Sequence, residues 1–422
     1  MLQPNGQLRD PIGWTFGLTA AFLTLALYRL AIPGHMYFDE VHYLPAARAW
    51  LEGRLVNPEH PPLGKLILAG SIYLFGDQPL VWRFPAALAG ALTLFAAARA
   101  VWFASCRRFA TVGFGVLLIS GFMLFVQSRI AMLDSIMLAL FAAALWQAAA
   151  ACREPETGRW RLALCGVTLG LSLAAKWNVA PLLPLFGLAF FIWRLKAGRR
   201  RLFTSRRGLP VPGVSLLEAA VWLGLVPVAI YALTFAPVYW LAQEPITQGF
   251  LAHQMRMLAL HESVMTPHTY QSVWWQWLLN LRPIWYLYEF TDGAQRGVLM
   301  VGNPLTMLLG LPALLWCGWA AWARQDRAAL AVVMLYCVSI GFWIIAAKPV
   351  QFFYHYLLPH CFLLAALALT LDALWQRGWR WAALLPLMAS IALFVWFWPI
   401  LSAAPLAGER SFEQWAWLES WI

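Results

Sequence analysis

Apolar runs approaching the thickness of a bilayer recur along this whole chain, and a run of that length is solvated either by lipid or by others like it. Crossing the hydrocarbon takes about 20 helical residues. Cutting the sequence wherever charges and Pro, Gly or Asn cluster leaves eleven candidate spans, at roughly 12–33, 80–104, 109–126, 130–151, 161–176, 178–194, 215–236, 300–322, 328–347, 353–374 and 380–400. Several are short, which is tolerated where a helix ends in a protein-lined cavity. With 62% hydrophobic and 12% charged residues, against about 25% charged in a soluble domain, the chain cannot close into a water-soluble globule. The expected class is an all-α polytopic membrane protein, with 1–422 forming a single integral membrane domain. Arg9 and Asp10 are the only charges before the first run, which reads as an uncleaved span rather than a secretory signal.

The net charge of +11 would suit a nucleic-acid partner if the cations formed one patch. They do not. With the N-terminus cytoplasmic, the inner loops collect seventeen lysines and arginines, from Arg9 to Arg380, against Asp10, Glu154, Glu156 and Asp326. The outer segments hold eleven cations against twelve acids. The excess is the positive-inside signal, and no nucleic-acid partner is expected. The basic loop 195–214 reads as a topology anchor touching anionic membrane lipid. The six cysteines form no C-x-x-C pair and read as small buried apolar residues. The tail, 402–422, falls outside with two long loops, 34–79 and 237–299, both rich in His, Trp, Tyr and acids. Ordered loops of that size are ordinarily functional.

The first outer loop carries Phe38-Asp39-Glu40-Val41-His42, then Glu59-His60-Pro61-Pro62-Leu63-Gly64-Lys65. Ionisable groups gathered at span ends are candidate site residues. Taken alone, Asp39 and Glu40 could equally be the acidic first turn of an interfacial helix. A second cluster is Gln127-Ser128-Arg129, with Asp134 one turn further on. Five helical residues advance about 140° past a full turn, so Arg129 and Asp134 need not face each other. Further cations recur on the same face: Lys176, Arg282, and Lys348 ahead of Phe353-Tyr354-His355-Tyr356. Each alone could snorkel. Together, beside a carboxylate pair, they suit an anionic lipid head group.

Taken in order, FDEVHYLPAARAWLEG, EHPPLGKL, FVQSRIAMLDSIML, SLAAKW, HTYQSVWWQWLLNLRPIWYLYE, VGNP and KPVQFFYHYLLP resemble the successive signatures of the protein O-mannosyltransferase family, over about residues 37–360. The resemblance implies a C-type glycosyltransferase architecture of eleven membrane helices with helical outer-face loops. It implies Asp39 as catalytic base, Glu40 as an acid near the acceptor and Arg129 at the donor site. Loop 237–299 is too short for the soluble β-trefoil domain of eukaryotic members, so the chain looks bacterial in type. Lysine at 348, where many members carry arginine, acts as a point charge rather than a bidentate fork.

The expected activity is inverting transfer of a hexose, mannose by resemblance, from a polyprenyl-phosphate carrier to Ser/Thr hydroxyls of exported proteins. It would take place at the periplasmic face of a bacterial inner membrane. Arg129, Lys65, Lys176 and Lys348 are the expected phosphate contacts, with His60, Asp134, Arg282, Tyr354 and His355 in support. No cofactor is required, although Glu59 and His60 could share a divalent metal. A lipid or envelope-glycan acceptor is the nearest alternative. A lipid-linked sugar flippase is the alternative of another class, and the internal symmetry common in transporters is missing from the sequence. The stretch 249–262 is expected to lie on the bilayer as an amphipathic helix, and Trp274, Trp275 and Trp277 to form an aromatic belt.

Overall fold

The computed structural model describes residues 9–197, 201–240, 242–243, 245–263, 266–346 and 348–422. Arg199 and Arg200, two of the expected inner cations, lie outside the described residues. Eight helices among those described are long and apolar enough to cross a membrane: Pro79–Ser105, Leu133–Arg153, Trp177–Lys196, Leu216–Trp240, Pro304–Ala323, Arg327–Ile345, Phe353–Gln376 and Arg380–Leu401. The remaining expected spans are also helical but shorter or more polar, at Ile12–Leu27, Arg108–Ser120 and Gly158–Ala175. By length and composition alone, eight of the described helices qualify as spans, and the other three expected spans are helices that fall below that measure.

Phe353–Gln376 is the central helix, with 83% of its apolar stretch buried. Pro79–Ser105 packs along Leu133–Arg153 through alanine-rich faces, as small residues allow where no water drives association. At Gly90 the same helix closes on the segment ahead of Leu133–Arg153: an added Cβ would meet Ser128 Oγ at 1.9 Å. Helix starts follow local chemistry. Asp326 accepts the N–H groups of Ala328 and Ala329 to open Arg327–Ile345, and Asn303 accepts that of Leu305 ahead of Pro304, each filling donors a helix start leaves free.

One end of the bundle gathers the first long loop, the second long loop and the tail. The first loop folds as Glu40–Leu51 and Leu63–Phe75. The second holds the expected helix at Phe250–Glu262, whose Met257 and His253 face inward while Leu251 and Met255 are exposed. It also holds an antiparallel hairpin, β1 (Ile284–Thr291) and β2 (Ala294–Met300), which departs from an all-α expectation. Asp292-Gly293 turns the hairpin with both φ values positive, the backbone a two-residue hairpin turn demands. The tail closes over it. Trp285 donates to the Trp421 carbonyl at 2.8 Å, and Trp421 to that of Asn280 at 2.7 Å. The tryptophan belt is only partial: Trp275 is exposed, but Trp277 is fully buried, donating to Ser272 and edging onto Trp343.

Candidate active site

Asp39 and Glu40 are neighbours in sequence and opposites in environment. Glu40, in the first turn of its helix, is fully buried in a bidentate pair with Arg83, at 2.8 and 2.9 Å. It also accepts the Ala131 N–H at 2.9 Å. Arg83 spends its other donors on the carbonyls of Pro33 and His35, at 2.7 and 2.8 Å. This clamp fixes the helix start against the 128–132 segment.

Asp39, one residue earlier, has no hydrogen bond or ion pair to its carboxylate among the described residues. Burial pushes its pKa up, opposed first by Lys176, while Asp134 adds to the rise and His42 and Lys348 resist it. A carboxylate left unpaired and more basic than usual is suited to accept a proton.

The cations around it come from two places. Lys176 donates to Asp134 at 2.7 Å, with both side chains buried, and lies 5.0 Å from the centre of the Tyr354 ring. Lys348, just past the Arg327–Ile345 helix, is half-buried. Burial, then repulsion from Lys176, pushes its pKa down to about 8, against the pull of Asp39 and Asp134. Tyr354 and Tyr286 flank Phe38, with Tyr286 stacked at 4.1 Å and Tyr354 edge-on at 5.9 Å. His355 is fixed at Nδ1 by the Phe352 N–H at 2.9 Å and packs 4.0 Å from Trp343.

The other two expected phosphate contacts, Arg129 and Lys65, and the supporting Arg282 all donate to backbone carbonyls. Arg129 lies in the break between Met123–Gln127 and Leu133–Arg153, not on a span. Its guanidinium takes the carbonyls of Ala26 and Tyr28, at 2.7 and 2.8 Å, and that of Ser402 at 3.1 Å. The first two belong to the C-terminal end of the Ile12–Leu27 helix, whose last carbonyls lack helical donors. Its electrostatic neighbours are Tyr37, Arg83 and Arg29 rather than Asp39. Lys65 donates to the carbonyls of Asn57 and, at 2.9 Å, His60, pinning the proline-rich turn. Arg282, half-buried, donates to the Thr269 carbonyl at 2.9 Å.

That turn still reaches the site through His60, whose charged form is opposed by burial and then by Lys176, keeping it well below the usual histidine range. Its ring lies 5.0 Å from that of His261 on Phe250–Glu262, so the amphipathic helix covers the same region. Glu59 Oε2 and His60 Nδ1 are buried without hydrogen-bond partners. They are only two donors, and no set of three or more His, Cys, Asp or Glu groups comes together among the described residues. That is short of the three or four protein ligands of a tetrahedral zinc site.

Sequence reasoning counted Arg83 as an outer cation and missed its pairing with Glu40. Its place four residues into a helix whose one other charge is Arg99 was the available signal. Tyr286, donating to Gln127 Oε1 at 2.9 Å, was hidden inside a segment read as a loop.

Comparisons with known proteins bear on the whole chain. Residues 17–83 and 80–243 match the family described as dolichyl-phosphate-mannose-protein mannosyltransferase. Residues 246–421 match the C-terminal four TMM region of protein-O-mannosyltransferase. A polyprenol-phosphate-mannose–protein mannosyltransferase of Mycobacterium tuberculosis is 29% identical, covering 94% of this chain and 88% of the relative. Its counterpart in Mycolicibacterium smegmatis is 28% identical, covering 99% and 94%. Among solved structures, the Saccharomyces cerevisiae protein O-mannosyltransferase complex bound to the sugar donor superposes with a TM-score of 0.81 at 14% identity, over 98% of this chain and 93% of that one. ArnT from Cupriavidus metallidurans bound to undecaprenyl phosphate gives 0.59 at 16%, over 96% and 69%. At these identities the two structures speak for the fold alone.

Proposed function

The chain belongs to the dolichyl-phosphate-mannose-protein mannosyltransferase family, and from that premise we propose that it transfers mannose from a polyprenyl-phosphate carrier to Ser/Thr hydroxyls of exported proteins. The observation that carries this reading is Asp39, an unpaired carboxylate beside Lys176 and Lys348 on the face where both long loops and the tail converge. The mycobacterial relatives are named for that donor and a protein acceptor, and coverage of nearly the whole of each chain supports carrying both over.

The anomeric carbon of such a donor is bonded to a phosphodiester oxygen. When that bond breaks, the electron pair leaves with a phosphate monoester whose second pKa is about 6, so departure needs positive charge rather than a general acid. Lys176 and Lys348 supply it from a site poor in water, where each charge counts for more. The acceptor oxygen bonds to the opposite face of the anomeric carbon and its proton passes to Asp39. An oxocarbenium-like transition state lets the proton leave late, so a carboxylate suffices. One displacement inverts the configuration. Glu40, Arg129 and Lys65 act as positioning residues that hold the walls, and Asp134 holds Lys176. The reading requires no resident metal.

The protein is a multi-pass membrane protein. We place it in a bacterial inner membrane with its N-terminus cytoplasmic and Asp39 periplasmic, because the basic loops lie at the opposite end. Purified protein given radiolabelled polyprenyl-phosphate mannose and a Ser/Thr-rich peptide should form α-configured or β-configured product opposite to that of the donor. Labelled lipid instead of labelled peptide would favour a lipid acceptor, and movement of intact donor across a vesicle without its cleavage would overturn the reading.

A further inference from the structure

An apolar cavity of about 810 Å³, walled by side chains such as Ala97, Phe141 and Leu335, runs along the bundle from Leu138, one helical turn from Asp134, to the end remote from Asp39. Three helices measure how far its remote mouth lies from the active site. Leu133–Arg153 carries Asp134 at one end and Arg153 at the other; Trp177–Lys196 follows Lys176 and ends on Lys196; Arg327–Ile345 starts on Arg327 and leads to Lys348. At 1.5 Å per residue the two ends stand about 30 Å apart. The cavity is open sideways to the membrane: Leu188, Ile192, Leu330 and Met334 line it and are exposed.

Its mouth is cationic. Arg153, Lys196 and Arg327 rim it, and through Arg153 and Arg327 it adjoins a polar cavity of about 500 Å³ that adds Arg107, Arg324 and Arg377 with Asp326 and Asp372. Arg107 answers both acids, 2.7 Å from Asp326 and 3.7 Å from Asp372. Arg153 donates to the carbonyls of Phe103 and Ala104. Arg327 and Lys196 share one indole, their charged groups 4.0 and 5.6 Å from the centre of Trp193. No carboxylate partners Arg153, Lys196, Arg324, Arg327 or Arg377 among the described residues.

Two cations on one ring repel each other unless an anion bridges them, and an apolar hollow below them asks for hydrocarbon. We propose that these joined cavities bind an anionic glycerophospholipid of the cytoplasmic leaflet, chains in the apolar part and phosphate among Arg153, Lys196 and Arg327. The cationic mouth uses none of the residues assigned to the donor phosphate, so the phospholipid preference is read apart from the proposed transfer.

The test is native mass spectrometry of the purified full chain titrated with phosphatidylglycerol, phosphatidylcholine or a polyprenyl phosphate. We expect phosphatidylglycerol to be retained about tenfold more tightly than phosphatidylcholine, since each cation near an anionic head group contributes. Lys196→Gln with Arg327→Gln should erase that preference, and Ala149→Phe, which fills the apolar part, should lower retention of both phospholipids. Thermal unfolding of the lipid-free variants establishes that they fold, and a variant that does not is replaced by Arg324→Gln with Arg327→Gln. Equal retention of the two phospholipids, or a preference untouched by the charge variants, overturns the proposal. So does polyprenyl phosphate binding that outcompetes phosphatidylglycerol and is lost with Lys196 and Arg327.

Discussion

The Asp39 carboxylate, unlike those of the paired Glu40 and Asp134, makes no hydrogen bond or ion pair among the described residues of the resting protein. Asn at this position keeps the shape and removes the base. Asp39→Asn should lower transfer by at least about 100-fold, in the range general bases contribute, with donor binding retained in equilibrium titration. The same residue sets the acid limb of the pH profile. Its pKa is raised by burial, so kcat/KM should climb with pH through a value above the ordinary aspartate range as the carboxylate forms. Lys348, pushed down to about 8, sets the other limb: rates should fall above about 8 as it loses its charge. Lys348→Arg should move that fall to higher pH, because guanidinium does not deprotonate there. Chelation of divalent ions should leave the purified enzyme's rate unchanged; a loss restored by one metal would reassign Glu59 and His60.

Among the elements, the short helix Glu40–Leu51 is pinned at its start by the buried Glu40–Arg83 pair, with Arg48–Asp77 near its end and Tyr43 and Leu44 packed in the core. Arg83→Met strands a fully buried carboxylate, a change that costs about 3–5 kcal/mol in comparable pairs. Differential scanning of detergent-purified protein should show a clear drop in unfolding temperature. Adding Glu40→Gln to that variant should recover much of the drop without restoring activity. What could be read in advance divides along the same lines. Long apolar helices announce themselves because hydropathy is local, and the FDEVH and HPPLGK segments because unusual residues crowd together. The direction of a side chain is not local. The resemblance puts Arg129 at the donor site, and only the fold shows that its guanidinium also takes the carbonyls at the end of Ile12–Leu27, more than a hundred residues earlier. The hairpin left a legible trace in Asp292-Gly293, overlooked because the expected layer was helical. Lys65 is similar: its ammonium is consumed by backbone oxygens that only the folded turn presents.

At the scale of the whole molecule, charge sorts the two ends. The loops and tail around Asp39 share one end, and Arg107, Arg153, Lys196, Arg324, Arg327 and Arg377 share the other. If the basic end is cytoplasmic, Ser263→Cys should react with a membrane-impermeant maleimide in intact spheroplasts, and Ser205→Cys only after lysis. The reverse pattern would invert the assigned orientation.

Asp39, Asp134, Lys176 and Lys348 together sum to no charge at rest. Under the proposed chemistry the donor brings one negative charge and the reaction changes nothing in that total, since the proton gained by Asp39 balances the second charge born on the phosphate. The departing lipid, with its second pKa near 6, is itself a fitting acceptor for that proton. A carrier that leaves protonated would reset the enzyme in the act of egress, so successive turnovers would require no exchange with bulk solvent.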